Sequence, residues 1–386
     1  MTTFGFWFEM RLRWIDALKG IGIMLVVFAH HSLPLALNNY IYSFHMPLFF
    51  FISGFLFDFG KYAGSAVNFV KGRFRSLIVP YFCFAVFTCL FYFLVDTVYH
   101  PGVTDIIFFK ASALYCVYSI LYALVPLISY NPALWFLPCL FGTELLFYGF
   151  AKKYSGEPIK LILLLIASGI LGYLYSVYVP FKLPWNADTA LTTVVFYGAG
   201  NLFRKFTEVG EKSGSGSSLE SSSRLRENFI RNENFLLGFL ILVNLLYFEY
   251  LLEFPRAPEI NILNFNGAFF SFYFFAFLGT FAFIYLFRKI GSSKVLEYYG
   301  RNCLIVLALH LPLKDVLTKL ALMSFGVDPE YIISNAAFAL SLTALNLLFL
   351  IPVIFIINNY FPFLVGKKGS SMGFEDFRTR FKKLVN

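Results

Sequence analysis

The sequence predicts an all-α polytopic membrane protein with about ten transmembrane helices. Of its 386 residues, 59% are hydrophobic, only 14% are charged and 52 are phenylalanine. A soluble domain carries about a quarter charged residues, so this chain has too few polar side chains to cover a water-soluble globule. Apolar stretches of about 20 residues cross a bilayer as helices, which satisfy their own backbone hydrogen bonds. The composition therefore excludes a soluble enzyme, a fibrous protein and a disordered chain.

Ten apolar stretches are long enough to be spans, and we expect one integral-membrane domain over residues 1–386. Six spans (17–203) precede a flexible polar loop, 204–233, and four spans (234–362) follow it before a basic tail, 363–386. The predicted spans are 17–37, 41–60, 76–95, 132–150, 159–179, 186–203, 234–252, 267–287, 302–323 and 334–362.

Positive charge decides how these spans are oriented. Segment 104–130 is apolar but contains Lys110 and Pro126, so it is an eleventh span or a re-entrant or interfacial element. If it does not cross and the N-terminus is inside, the cytoplasmic pieces hold nearly all of the 31 Lys and Arg side chains. Because cytoplasmic loops are enriched in Lys and Arg, both termini are predicted to be cytoplasmic. The net charge of +9 then reflects topology and gives no sign of a nucleic-acid partner.

The five cysteines indicate neither a metal site nor a disulfide framework. All lie in or beside apolar stretches, and none forms a Cys-x-x-Cys pair. The sequence therefore predicts no bound metal.

Ionisable side chains inside predicted spans are candidates for function, because burying a charge in lipid costs several kcal/mol. Lys19 and His30 lie on one face of the first span, about 16 Å apart along the helix axis. Lys19 is then at the cytoplasmic edge and His30 near mid-membrane. The alternative for His30 is a structural role, in which the ring only packs against a neighbouring helix. For His31 we favour that structural role.

Two other spans carry comparable histidines. A short connection makes the first two spans antiparallel neighbours, which would bring His45 to the outer part of the same cavity. In the ninth span, Arg301 enters from the cytoplasm and His310 lies about 13 Å deeper. This repeats a basic residue at the mouth of the bundle and a histidine at mid-depth.

Three further features favour a site but have simpler interpretations. Lys71, Arg73 and Arg75 form a cluster suited to binding phosphate, although such cations also mark the cytoplasmic side. Glu144 lies well inside the fourth span and needs a partner. Trp135, near the outer end of that span, also fits an aromatic belt.

At these residues the chain resembles the membrane acyltransferase-3 family, most closely the branch typified by fucose 4-O-acetylases. The most specific block runs from Asp16-Ala-Leu-Lys-Gly-Ile-Gly-Ile to His30 and continues at Tyr42-Ser-Phe-His-Met-Pro-Leu-Phe-Phe-Phe-Ile-Ser-Gly54. Weaker matches are Arg73-Phe-Arg-Ser-Leu-Ile-Val-Pro-Tyr81, Leu134-Trp-Phe-Leu-Pro-Cys-Leu140, Asp188-Thr-Ala-Leu191, Phe196-Tyr-Gly-Ala-Gly200, Tyr299-Gly-Arg-Asn302 and His310-Leu-Pro312. Together they cover nearly the whole chain in order.

The resemblance implies transfer of an acetyl group from cytoplasmic acetyl-CoA to a hydroxyl of a cell-envelope glycan or lipid-linked sugar. The protein would then be a multi-pass protein of a bacterial cytoplasmic membrane, with polysaccharide-biosynthesis proteins as further partners. His30 matches the family's essential histidine, and Lys19 stands where many members carry arginine. The family's Arg-x-x-Arg appears with Ser76 in place of the second arginine, so Arg75 or Lys71 would supply that cation.

The resemblance also implies roles for a set of residues. The catalytic residues would be Asp16, Lys19 and His30. The phosphates of the co-substrate would be held by Lys71, Arg73, Arg75 and Arg301. The acceptor side would be lined by His45, Trp135, Glu144, Asp188 and His310.

Two other functions fit part of the pattern. A transporter or flippase for glycans or lipid-linked sugars explains ten spans and buried histidines, but no paired inverted repeat is visible. A structural partner of a polysaccharide-export complex leaves the intramembrane histidines unexplained. Neither function explains why cationic side chains at the cytoplasmic end are aligned with a histidine near mid-membrane.

Overall fold

The computed structural model describes residues 3–31, 33–62, 64–98, 113–123, 130–154, 156–208, 232–253, 260, 263, 265, 269–325 and 335–367. These residues are almost entirely helical and contain no strand. Most of the predicted loop 204–233 and of the tail 363–386 lies outside them. The helices are α1 (Thr3–Ala29), α2 (Leu35–Leu56), α3 (Ala66–Arg73), α4 (Val79–Val98), α5 (Ala113–Tyr122), α6 (Phe136–Tyr154), α7 (Pro158–Tyr178), α8 (Ala187–Glu208), α9 (Glu233–Glu253), α10 (Phe269–Ile290), α11 (Lys294–Arg301), α12 (Cys303–Phe325) and α13 (Ala336–Tyr360).

Six helical segments of the described chain are long and apolar enough to cross a membrane. They are Ala66–Val95, Pro132–Tyr154, Pro158–Tyr178, Glu233–Glu253, Phe269–Ile290 and Ala336–Tyr360. The helices α1, α2, α8 and α12 overlap four other predicted spans but carry more polar side chains. Several of those side chains, including His45, Asp188 and His310, are buried by neighbouring helices. The helices support a multi-pass membrane protein, while ten spans and two cytoplasmic termini remain a prediction.

The boundary between the first two helices differs from the predicted one. The first span was expected to reach residue 37 and the second to begin at 41, whereas α1 ends at Ala29 and α2 begins at Leu35. Pro34 has no N–H to bond the carbonyl of His30, and its ring would clash with that carbonyl in a helix. The proline therefore keeps α1 from continuing through it, and it serves as the N-cap of α2. As a consequence His30 lies in the turn, while Asn38 and Asn39 belong to α2.

Glycines let the helices that surround the histidines approach closely. A Cβ atom on Gly54 of α2 would overlap the backbone of Tyr197 in α8, and one on Gly200 would overlap Phe51. In the same way, Gly300 of α11 lies directly against the backbone of α1. Without a side chain at these positions, the paired backbones come into contact.

A proline lies inside α12, two residues after His310. Pro312 has no N–H, so the carbonyl of Ala308, four residues earlier, loses its partner within the helix. The side-chain amide of Asn131 donates to that carbonyl at 2.8 Å. The amide of Asn346 donates to the carbonyl of His310 at 2.9 Å. Two buried asparagines from other segments therefore fix α12 where it carries His310.

The described part of segment 104–130 includes α5, which has 10 residues. Such a helix is about 15 Å long, half the hydrocarbon core of a bilayer. Its carboxyl end is held by Tyr81, Trp185 and Asn186, whose side chains donate to backbone carbonyls at 2.6, 2.8 and 2.8 Å. The described helix α5 is therefore too short to cross the bilayer by itself.

Candidate active site

His30 lies directly after the last residue of α1, where the chain turns toward α2. Its Nδ1 lies 2.7 Å from the carbonyl oxygen of Val26. Because a carbonyl oxygen only accepts hydrogen bonds, Nδ1 carries the proton and donates. In the neutral ring the lone pair is then on Nε2, the atom available to accept a proton.

His310 is the nearest ring of comparable chemistry. The ring centroids of His310 and His30 are 4.9 Å apart, with an angle of 69° between the ring planes. Nδ1 of His310 donates to the carbonyls of Val306 and Leu307 at 3.0 and 2.9 Å. His310 is fully buried, and its Nε2 has no hydrogen-bond partner in the described part of the chain.

His45 and Tyr42 complete this group of rings. The ring of Tyr42 lies 5.0 Å from that of His45 and 6.3 Å from that of His30. Nδ1 of His45 donates to the carbonyl of Ile41 at 2.7 Å. All three histidines are thus tied to their own backbone through Nδ1, which leaves Nε2 as their acceptor.

A cavity of about 290 Å³ opens beside His30 and His45. It is lined by Val26, His30, Asn38, Asn39, Tyr42, His45, Met46, Pro132, Ala133, Trp135, Ile260 and Leu307. The structure thus brings together His30, His45 and Trp135 of the predicted site, with His310 in contact behind His30.

Lys19 and Arg301 lie outside the cavity lining and share the carboxylate of Asp16. Nζ of Lys19 lies 2.6 Å from Oδ1 of Asp16, and Arg301 lies 3.8 Å from the other oxygen of that carboxylate. Arg301 also pairs with Glu297 at 2.7 Å, and Arg13 pairs with Glu297 at 3.0 Å. These five side chains form a charged cluster that joins α11 to residues 13–19 of α1.

Glu297 is the most strongly held member of this cluster. A hydrogen bond from Ser292, together with hydrogen bonding and charge from Arg13, holds the pKa of the Glu297 carboxyl below its ordinary value. The charge of Arg301 acts in the same direction. Glu297 was not singled out from the sequence, although it lies four residues before Arg301 on one helix.

The cations of the predicted phosphate cluster have separate partners. Nε of Arg73 lies 3.1 Å from the buried carboxylate of Glu144. Arg75 donates to the carbonyl oxygens of Gly366 and Lys367 at 3.1 and 3.3 Å. Lys71 is exposed to solvent.

Three of the five residues expected on the acceptor side do not line the cavity. His310 lies against the ring of His30, whereas the two carboxylates lie elsewhere. Glu144, on α6, pairs with Arg73 at the end of α3. Asp188 is fully buried at the start of α8, with Nζ of Lys182 3.2 Å away. Burial lowers the pKa of Lys182, and the charge of Asp188 opposes that shift. Both carboxylates satisfy the expected need for a partner, but with a cation rather than with this cavity.

The described residues contain no group of three or more His, Cys, Asp or Glu side chains arranged to hold a metal ion. The site consists instead of imidazole, amide and aromatic groups, which suits proton transfer and hydrogen bonding.

The profile of the family described as "Acyltransferase domain" matches residues 12–365, nearly the whole chain. This chain belongs to the acyltransferase-3 family. No curated protein matches it, and no solved structure matches it either. As an acyltransferase-3 protein with six membrane-length apolar helices in its described part, it carries out acyl transfer in a membrane.

Asn38, Asn39, Tyr42 and Asn131 are the site residues that sequence reasoning missed. Asn38 and Tyr42 precede His45 by seven and three residues, so they share or adjoin its face of α2, whereas Asn39, six residues before it, lies about 120° away. That spacing is present in the sequence, but the predicted second span begins at 41 and leaves Asn38 and Asn39 outside it. For Asn131 the sequence held no comparable signal, because its partner lies in a distant segment of this acyltransferase-3 chain.

Proposed function

We propose that this protein transfers an acetyl group from cytoplasmic acetyl-CoA to a hydroxyl of a cell-envelope or exported glycan sugar. The observation that carries the proposal is the placement of His30, whose Nε2 is an acceptor beside a polar and aromatic cavity in an acyltransferase-3 chain. The bacterial cytoplasmic membrane is the setting that fits this reaction.

In this reaction His30 acts as the general base. Its Nε2 takes the proton of the sugar hydroxyl while the hydroxyl oxygen bonds to the thioester carbonyl carbon. The carbon–sulfur bond then breaks, and the CoA thiolate leaves with the proton from His30. Transient acylation of Nε2 is a second route to the same products.

The basic residues have a matching role at the other end of the bundle. Lys71 and the guanidinium of Arg301 are exposed there, and Arg73 and Arg75 are held by Glu144 and by backbone carbonyls. Guanidinium and ammonium groups bind phosphate, which supports acetyl-CoA as the donor.

Labelling of membranes with radioactive acetyl-CoA tests the proposal. We expect label in glycan, and we expect His30→Ala to lower the rate about 10²- to 10⁴-fold because the base is lost. The matched control is His31→Ala, since His31 is the neighbouring histidine and does not line the cavity.

Normal labelling by His30→Ala would overturn the mechanism. Movement of labelled sugar across vesicles in the absence of acetyl-CoA would favour the transporter that the sequence left open. Equal loss of labelling in His31→Ala would show that the effect comes from folding rather than from the base.

A further inference from the structure

Two side chains that line the cavity, Asn38 and Asn39, each carry one buried amide atom without a hydrogen-bond partner among the described residues. Asn39 is 9% exposed, and its Nδ2 has no hydrogen-bond partner among the described residues. The same holds for Oδ1 of the adjacent Asn38. An unsatisfied amide that is buried costs free energy, so a ligand that completes both groups gains affinity.

One amide presents a donor and the other presents an acceptor. A hydroxyl both donates and accepts, so neighbouring hydroxyls of a sugar match Asn39 Nδ2 and Asn38 Oδ1 together. A carboxylate only accepts, and it would face the like partial charge of Asn38 Oδ1. At this point of the cavity wall, the pair therefore favours sugar hydroxyls over a carboxylate.

The absence of charged side chains from the described lining also favours a neutral ligand. The residues that line the cavity in the described part of the chain include no Lys, Arg, Asp or Glu. An anionic sugar would bring an unpaired charge into the helix bundle, which is costly. A neutral sugar carries no such penalty.

Size and shape limit the ligand further. The volume of about 290 Å³ lies just below the range of cavities that hold drug-sized ligands, so it suits a single sugar ring. The aromatic rings of Trp135 and Tyr42 line the walls, and such rings offer apolar surface to the C–H face of a pyranose.

We infer that Asn38 and Asn39 bind hydroxyls of the acceptor, and that the described lining of the cavity, which carries no Lys, Arg, Asp or Glu, selects an uncharged sugar over an acidic one. The inference rests on the proposed function, because it assigns the acceptor of the same reaction. It predicts discrimination at the level of charge, with the two amides contributing to acceptor binding and not to donor binding.

Matched pairs of methyl glycosides test the selection. The purified protein is incubated with radioactive acetyl-CoA and methyl galactoside or methyl galacturonoside, and likewise with methyl glucoside or methyl glucuronoside. We expect the neutral member of at least one pair to be acetylated and its acidic counterpart to react at least about tenfold more slowly. Equal rates within each reactive pair would overturn the inference.

Substitutions test whether the two amides bind the acceptor. Asn38→Ala and Asn39→Ala should each raise the KM for the neutral glycoside about three- to tenfold, with the KM for acetyl-CoA unchanged. Asn359→Ala is the control, since Asn359 bonds only the carbonyl of Phe355 in its own helix among the contacts described and does not line the cavity. A change in the KM for acetyl-CoA, or no change in that for the glycoside, contradicts the assignment.

Binding measured without acetyl-CoA separates this inference from the proposed function. Equilibrium dialysis of labelled methyl galactoside and methyl glucoside against the protein should show binding that Asn39→Ala weakens. If that binding is found but no glycoside is acetylated, the proposed donor or reaction is wrong and the site stands. If neither neutral glycoside binds, the inference is wrong, whatever the fate of acetyl-CoA.

Discussion

At the scale of single residues, the site depends on side chains that satisfy distant backbone groups. Asn131 is fully buried, and its amide donates to the Ala308 carbonyl that Pro312 leaves without a partner. The same amide lies 3.2 Å from Oγ1 of Thr88 on α4. One side chain thus joins α4, α12 and the turn that leads to Trp135.

We predict that Asn131→Ala destabilises the protein by about 1–3 kcal/mol, because the Ala308 carbonyl becomes buried without a partner. Replacing Pro312 by alanine restores an N–H four residues after that carbonyl. The double variant Asn131→Ala/Pro312→Ala should therefore lose less stability than the sum of the two single variants. Thermal unfolding in detergent measures all four proteins.

Simple additivity in this cycle would show that Asn131 does not act through the freed carbonyl. The control is Asn359→Ala, which removes an amide whose described bond lies within its own helix. It should change stability little, since most substitutions outside shared networks have small effects.

Sequence reasoning at this scale found side chains but not their partners. His30, His45 and Trp135 line one cavity, as the cost of burying polar groups and the family resemblance suggested. Glu144 and Asp188 were expected beside them, yet each pairs with a cation. A sequence shows that a buried carboxylate needs a partner, whereas the helix that supplies the partner depends on packing. Their roles in catalysis and binding stay predictions.

At the scale of elements, α11 is held on α1 by charges and by close backbone contact. Glu297 on α11 pairs with Arg13 and Arg301, and its pKa lies below its ordinary value of 4.5. A carboxyl with a depressed pKa stabilises the folded state above its ordinary pKa, and this contribution disappears as the pH falls through the folded pKa.

We therefore predict that the wild-type protein is more stable than Glu297→Gln at neutral pH. The difference should shrink below pH 4.5 and be lost once the pH has fallen through the lower pKa of the folded state. The Tm of both proteins is measured from about pH 7 to about pH 3. Taking the difference at each pH cancels the contribution of the other carboxylates, which the two proteins share. A difference that persists at the acid end would assign the stabilisation to packing rather than to charge.

The contact between α2 and α8 gives a second prediction at this scale. Gly54→Ala places a methyl group in the backbone of α8, and we expect a loss of about 1–3 kcal/mol from overpacking. Gly149→Ala in α6 is the matched control, because no atom lies within 4 Å of its added Cβ. It should leave the Tm unchanged or raise it slightly, since alanine favours helix over glycine.

A similar loss in both glycine variants would mean that helix contact is not the cause. The elements themselves were largely predictable, because apolar length determines where helices form in a membrane protein. The ends of the helices were harder to predict. The predicted first span runs through residue 37, although Pro34 already separates α1 from α2. That error also hid Asn38 and Asn39 from the predicted site.

At the scale of the whole molecule, the described helices fall into two kinds. The six membrane-length segments are apolar, and many of their large hydrophobic side chains are exposed, among them Leu163, Leu245 and Phe274. The more polar helices α2, α8 and α12 supply His45, Asp188 and His310, and the turn directly after α1 supplies His30. The outer surface thus suits lipid, and the polar chemistry lies among the helices.

The charge pattern predicts both termini in the cytoplasm, as well as loop 204–233. A fluorescent protein fused after residue 386 should therefore fluoresce in a bacterial host, and alkaline phosphatase at the same position should be inactive. The same two reporters inserted within 209–231 should behave alike. Phosphatase activity at either position would contradict the assigned orientation and the cytoplasmic place of the donor.

The hydrogen bond from Nδ1 of His30 to the carbonyl of Val26 has a kinetic consequence. With Nδ1 engaged, a proton that arrives at Nε2 must leave from the same atom, so it cannot exit through the other side of the ring. Direct transfer then requires sugar and thioester to be bound together, which gives intersecting lines in double-reciprocal plots. An acylated Nε2 would instead let CoA depart first, and the lines would run parallel.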